Sequence, residues 1–250
     1  MTLKGLNTKA LKAGDPEPTA APAGTFRLYN MRFCPWAERA LLYVARKGID
    51  VEVVNIDLAA KPEWYFEKHY QGKVPTLEHN GKYVIESSLI PQYLDDILPE
   101  DSVLPKDPFE RVKQKILSEK TLAISSAFYG LVAAFKDPSV KEEKLGNLKK
   151  ALNDTEKLFE NTYFGGAEPS FADYLTFPFV ERVWWVSHIE GFTGFNVKNF
   201  PCEKDYPHLT KWFNAMVSRP EISKNIMPIE HALAFLESYK KGAANYDAGL

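Results

Sequence analysis

The chain reads as an α/β half followed by an all-helical half. Three observations predict this. Short β-branched and aromatic runs bounded by turn residues occur only up to residue 98. A Pro- and Asp-rich stretch, 99–108, follows them. Beyond it, every periodic segment has helical spacing. Strands and helices mixed first, then helices alone, imply two unlike domains. A chain of 250 residues holds two modest ones, at roughly 100–200 residues each.

The elements follow in order. Residues 1–24 are rich in Ala, Pro, Gly and Lys and read as an irregular extension, partly disordered. Residues 26–29 are the first strand. A helix spans 35–47, with Trp36, Ala40, Leu41, Val44 and Ala45 at helical spacing and Gly48 to end it. Residues 51–56 are a β-branched second strand, and 61–70 a short helix or turn. Runs 74–77 and 83–85 flank Asn80-Gly81, a strong hairpin signal. A helix spans 87–98 with Ser87 as its N-cap. The first domain is therefore 25–98 and 99–108 its linker. The helical domain, 109–250, has helices at 109–135, 140–159, 171–190, 208–218 and 229–240. Ser170-Phe171-Ala172-Asp173 opens its most aromatic helix as a near capping box, with Asp in place of Glu or Gln.

Composition narrows the function. The net charge of −2 and the lack of a basic block argue against a nucleic-acid partner. No run approaches the roughly 18 apolar residues of a membrane span. Residues 1–24 lack the apolar core and cleavage site of a secretory signal. Two cysteines make no disulfide framework, so a reducing, cytoplasmic setting is expected. The five histidines are scattered and have no zinc spacing, so no metal is expected.

Three segments carry chemistry. In Met31-Arg32-Phe33-Cys34-Pro35, Pro35 suits the first helical position, where its missing N–H costs nothing. Cys34 then sits at the N-cap. Unpaired amides, the helix dipole and Arg32 nearby favour its thiolate, the reactive form. The motif is similar to thioredoxin-like redox motifs, but Ala37 takes the place of the second cysteine. A lone thiol needs an outside thiol as partner, and glutathione is the evident one. In Lys73-Val74-Pro75, a cis proline before the third strand would leave the Val74 backbone open to a cysteinyl peptide. The alternative is an ordinary turn. In Glu86-Ser87, a carboxylate and a helix-start hydroxyl would hold the two ends of an amino acid. Taken alone, this pair reads equally as a cap and a surface charge.

Taken together, these segments resemble the glutathione transferases, and the omega class most closely. Lys61-Pro62-Glu63-Trp64, Asp95 and the Phe164-Gly165-Gly166…Asp173-Tyr174 run fit as well. The resemblance implies a thioredoxin-like, glutathione-binding domain and then an all-helical domain, with the active site in the cleft between them. It implies that Lys61, Val74, Pro75, Glu86 and Ser87 bind glutathione and that Cys34 forms a mixed disulfide with it. Pro35, Trp36 and Arg182 would line the substrate cleft. It further implies a homodimer, glutathione as cosubstrate, and oxidised or electrophilic small substrates such as dehydroascorbate or methylated arsenicals. His69-Tyr70 and Trp36 depart from the family pattern, at the glutathione wall and beside the thiol.

Other residues have plainer readings. Cys202 lies in a loop and is structural, Trp184 and Trp185 are packing, His188 is a surface or satisfied residue, and Asp173 caps its helix. Two rivals stand. Chloride intracellular channel proteins are similar in fold, but Glu38, Arg39, Arg46 and Lys47 make the first helix a poor membrane span. An ordinary conjugating transferase would tolerate loss of Cys34.

Overall fold

The computed structural model describes residues 2–250, which form two compact units. One comprises the chain up to Ser102 together with Glu230–Leu250; the other is Val103–Ile229. The reading that gave all of 109–250 to the helical domain differs at its end. The last helix and tail pack on the first unit, through contacts more than 200 residues apart in sequence that leave no local periodicity to read.

The first unit has strands β1 (Leu3–Lys4), β2 (Phe26–Asn30), β3 (Val51–Asn55), β4 (Thr76–His79) and β5 (Lys82–Ile85), in the order β1-β3-β2-β4-β5. β1, β3 and β2 run parallel; β4 pairs antiparallel with β2 and with β5. The parallel β2–β3 pair needs a crossover, which helix α1 (Pro35–Arg46) supplies. The hairpin turn is Asn80-Gly81, with φ of 52° and 70°, the two positive values that a two-residue turn between twisted strands requires.

Residues 2–24 are not irregular throughout. β1 extends the sheet beside β3, Leu11 bridges to Ile56, and the Asn55 side-chain amide donates to the carbonyls of Leu6 and Thr8, each at 3.0 Å. One buried asparagine thus gathers a segment whose composition alone reads as loose.

Helix α2 (Leu89–Ile97) packs on α1 through a buried polar joint. Lys47 Nζ lies 2.9 Å from Asp95, and the Tyr43 hydroxyl donates to the same carboxylate at 2.6 Å. Burial of a charge is tolerable when it is paired and hydrogen-bonded in this way. Between α1 and β4, residues 61–62 lead into a short 3-10 turn, Glu63–Glu67.

The second unit holds α3 (Pro108–Val132), α4 (Lys141–Glu156), α5 (Phe171–Ser187), α6 (Pro207–Val217) and the short α7 (Pro220–Ser223). α8 (Ile229–Lys240) leads back to the first unit. α5 is buried along nearly its whole length, which suits its aromatic sequence. Trp185 lies in the core as expected, and Trp184 is partly covered and donates to the Val197 carbonyl. Among the described residues no helix is long and apolar enough to cross a membrane.

Candidate active site

Cys34 is the N-cap of α1, with extended backbone (φ −83°, ψ 116°) and Pro35 as the first helical residue. The turn before it is tight: the Cys34 N–H donates to the Met31 carbonyl at 2.9 Å, and the Phe33 N–H to Met31 Sδ at 3.1 Å. The Cys34 side chain makes no capping hydrogen bond, and it is only 8% exposed. The helix therefore presents its amide end to a sulfur that is not tied to the cap. Backbone amides at a helix start and the helix dipole stabilise an anion.

The Val74–Pro75 bond is cis. β4 begins at Thr76 rather than at Val74, because Pro75 has no N–H to give to the ladder. Among the described residues neither the N–H nor the C=O of Val74 has a hydrogen-bond partner. Tyr65, which the sequence reading did not single out, braces this segment. Its hydroxyl donates to the Lys73 carbonyl at 2.7 Å and lies 3.1 Å from the Thr76 hydroxyl. Burial raises its pKa most; the Thr76 bond opposes this and the charge of Cys34 adds to it. Tyr65 thus ties the proline segment to the neighbourhood of the thiol. No local signal marks it, since its role lies in contacts 8 and 11 residues ahead.

Lys61 lies beside the same segment. Gly72 has φ of 59°, and a Cβ there would meet the Phe66 ring at 2.8 Å and Lys61 Cδ at 2.9 Å. Only glycine lets chain and lysine stem approach so closely.

Glu86 follows β5 with φ of 71°, a strained conformation for a residue other than glycine. Its carbonyl accepts from the N–H groups of Leu89 and Ile90. That kink delays the helix, so Ser88 rather than Ser87 is the N-cap of α2. The expected cap role of Ser87 is corrected accordingly. Ser87 is buried, and its hydroxyl accepts from Arg39 Nη1 at 3.3 Å. Arg39 in turn lies 4.8 Å from the ring of Trp36, which is half-buried next to Pro35. Arg182 belongs to the second unit. There it is buried on α5, ion-paired with Glu181 and 3.7 Å over the Trp185 ring. Cys202 lies in the loop before α6, its carbonyl accepting from Asp205 and Tyr206. Among the described residues no group of His, Cys, Asp and Glu is arranged to hold a metal.

His69 is buried, and its Nδ1 accepts from the Gln71 N–H at 3.1 Å, while exposed Tyr70 stacks on its ring. Its pKa lies below 6.5, chiefly because burial disfavours the charged ring; Glu86 opposes the shift and Lys73 adds to it. Between the folded value and 6.5 the unfolded chain binds more protons, so stability rises with pH there. Acidification below about 6.5 should therefore destabilise the protein, the loss growing until the folded value is passed. His69→Asn keeps an acceptor for Gln71 without the titration. Its thermal midpoint should fall less steeply than the wild type's between neutral pH and the folded value; parallel curves would exclude His69 as the cause.

The profile of the glutathione S-transferase N-terminal domain matches residues 24–96, and that of the C-terminal domain matches 116–220. The chain is 47% identical over 251 residues to glutathione transferase omega-1 of Caenorhabditis elegans, covering 100% of each protein. It is 36% identical to glutathione S-transferase omega-1 of Mus musculus, over 95% of each. The crystal structure of glutathione transferase Omega 3C from Trametes versicolor has a TM-score of 0.74 at 24% identity, with 89% of this chain and 92% of that one covered.

Proposed function

Because the chain belongs to the omega class of the glutathione transferase family, we propose that it is a glutathione-dependent thiol transferase and reductase with Cys34 as nucleophile. The observation that carries this reading is the Cys34 thiol at the N-cap of α1, with Pro35 as the first helical residue and the chain before it in a tight turn onto the Met31 carbonyl. Most transfer chemistry of this family needs only a donor to glutathione. A thiol at that point suits exchange instead, because it becomes covalently joined and is then released.

The steps balance as follows. The Cys34 thiolate attacks the glutathionyl sulfur of a mixed disulfide, forming Cys34–S–S–glutathione and expelling the substrate thiolate, which takes a proton. A second glutathione thiolate attacks the glutathionyl sulfur of that adduct. Glutathione disulfide leaves, and the Cys34 thiolate returns. Attack is fastest when the thiol pKa is near ambient pH, so the site gains from moderate activation rather than extreme acidity. Dehydroascorbate and methylated arsenicals are the further oxidised substrates to try.

Glutathione lies, in this reading, along the segment between Lys61 and Ser87. The unpartnered Val74 N–H and C=O pair with the cysteinyl part, like an added strand beside Pro75. Glu86 takes the γ-glutamyl amine, Ser87 its carboxylate, and Lys61 the glycyl end. Pro35 and Trp36, beside the thiol, meet the other half of the substrate. The strained backbone of Glu86 supports its part, since such strain is kept where the surroundings or a function fix it. Glu86→Ala should lower glutathione affinity by about tenfold or more, the cost of removing one partner of a charge pair that loses water on binding. The fold should hold, because the side chain is exposed. Unchanged affinity by calorimetry would remove Glu86 from the site.

The direct test is intact mass after incubation with glutathione disulfide. One glutathionyl adduct, mapped to Cys34 and reversed by reduced glutathione, is the expected result. An unmodified protein, or an adduct on Cys202 alone, refutes the reading. The working form is proposed to be a homodimer in a reducing, cytoplasmic compartment. Light scattering at micromolar concentration checks the first of these, and a monomer would count against it.

A further inference from the structure

The loop that carries Cys34 is held by the far end of the chain. Arg32 Nη1 donates to the carbonyl of Ala248 at 2.8 Å, and both residues are buried. The ring of Phe33, next to the thiol residue, stacks on Phe235 of α8 with centroids 4.3 Å apart and planes 5° from parallel. Phe235 also packs against Tyr246. The tail is itself anchored: the Asp247 carboxylate accepts from the Ala10 N–H at 2.8 Å. Arg32 depends on this tail, because its Nε is buried without any partner. Ala248 is its one hydrogen-bond acceptor among the described residues.

We infer that the tail, residues 246–249, is a positioning element for the Cys34 thiol, acting through Arg32 and Phe33. The inference rests on the reading of Cys34 as nucleophile. The two residues before the thiol are each clamped, one by a carbonyl and one by a ring, and neither clamping residue belongs to the proposed glutathione segment, 61–87. A displaced tail leaves a buried guanidinium with no acceptor, which must move to find one. Arg32 is one peptide unit from Phe33 and two from Cys34, so the thiol moves with it. Tyr246 also lies near enough to Cys34 that the thiol's charge contributes to raising the pKa of its phenol, after burial and the larger effect of Asp57.

Gly249 offers a way to move the tail without touching the loop. Its φ is 81°, and a Cβ there would lie 2.2 Å from the His231 ring. Gly249→Ala forces tail and α8 apart. His231→Ala opens the space that the new methyl needs. The experiment measures kcat, and KM for glutathione, with the cysteine–glutathione mixed disulfide as substrate of the full chain. Gly249→Ala should lower kcat by about tenfold, a modest loss for a displaced reacting group. Its KM for glutathione should stay within about twofold, since ground-state binding is untouched. Adding His231→Ala to Gly249→Ala should recover part of kcat, since the clash is relieved while the strain of alanine at a φ of 81° remains, and His231→Ala alone should keep kcat within about twofold. Deletion of residues 246–250, which removes the Ala248 carbonyl while keeping the Arg32 charge, should repeat the loss of kcat, and it decides the matter if Gly249→Ala does not fold. Unchanged kcat in the folded variants overturns the inference, as does a loss in which KM rises in step. The wild type is assayed first with its Cys34→Ala control. If it shows no Cys34-dependent turnover, the thiol-transfer reading itself falls; if it does and the tail variants match it, only the tail's role falls.

Discussion

Cys34→Ala should abolish glutathione-dependent reduction of a mixed disulfide, to below about one hundredth of the wild-type rate, because the covalent step has no atom to form on. Cys202 offers no substitute, as it lies in a turn before α6 and not at a helix start. The fold should remain. The Cys34 side chain caps nothing, its backbone bonds to Met31 and Glu38 need no sulfur, and Pro35 still opens α1. Loss of one buried sulfur costs about 1 kcal/mol, the scale of a small core truncation. Glutathione affinity should largely persist, since Lys61, Val74, Glu86 and Ser87 are unchanged. In the native protein Cys34 should react with iodoacetamide faster than Cys202, because it stands at a helix start. A variant that reduces these substrates at the wild-type rate defeats the assignment. If that variant conjugates aromatic halides as well as the native protein does, the ordinary transferase takes its place. If neither protein catalyses anything, the binding-protein alternative leads.

The largest effect on stability is expected from Asp173→Ala. Asp173 is fully buried at the start of α5 and accepts four hydrogen bonds: Phe164 N–H at 3.1 Å, Trp212 Nε1–H at 2.7 Å, Ser170 N–H at 2.7 Å and Ser170 Oγ–H at 2.6 Å. One carboxylate thereby joins the loop at 164, the head of α5 and the body of α6. Burial raises its pKa while the four donors hold it down, so the donors are what make the charge tolerable there. Alanine leaves those donors buried and unmatched. The cost should be about 3–5 kcal/mol, the range for breaking a buried charged network, and a large part of a typical domain's stability. Urea unfolding of the purified variant measures it. A loss under about 1 kcal/mol would mean that water or a rearranged loop replaces the carboxylate.

The sequence carried its local features well. Asn80-Gly81 marked the hairpin because two positive φ values leave few other residue pairs. Cys34-Pro35 marked the start of α1 because proline without an N–H fits the first helical position. Asp173 read as a cap from its spacing to Ser170, and it is one. What escaped was non-local. Tyr65 acts through groups beyond the next turn of chain, and neither its type nor its neighbours announce this. The cap falls at Ser88 and not at Ser87 because the left-handed turn at Glu86, which no residue type there announces, moves the helix start by one residue. β1 was invisible because two residues cannot show a period of two. The tail's membership of the first unit depends on partners at the opposite end of the sequence.

That last arrangement governs when the thiol loop is complete. The bond from Arg32 to Ala248 spans 216 positions of sequence. During synthesis, at about 5–20 residues per second, the sheet and α1 emerge well before their clamp exists. Until residues 230–250 leave the ribosome, Arg32 has no acceptor and Phe33 no stacking partner. Contacts of such long range also close slowly, since loop entropy is lost before they reward it. The second unit, continuous in sequence, has no such delay. Cys34 in a nascent chain therefore waits in a loop that is not yet set for roughly 10–40 s, the time that 216 positions take at that pace.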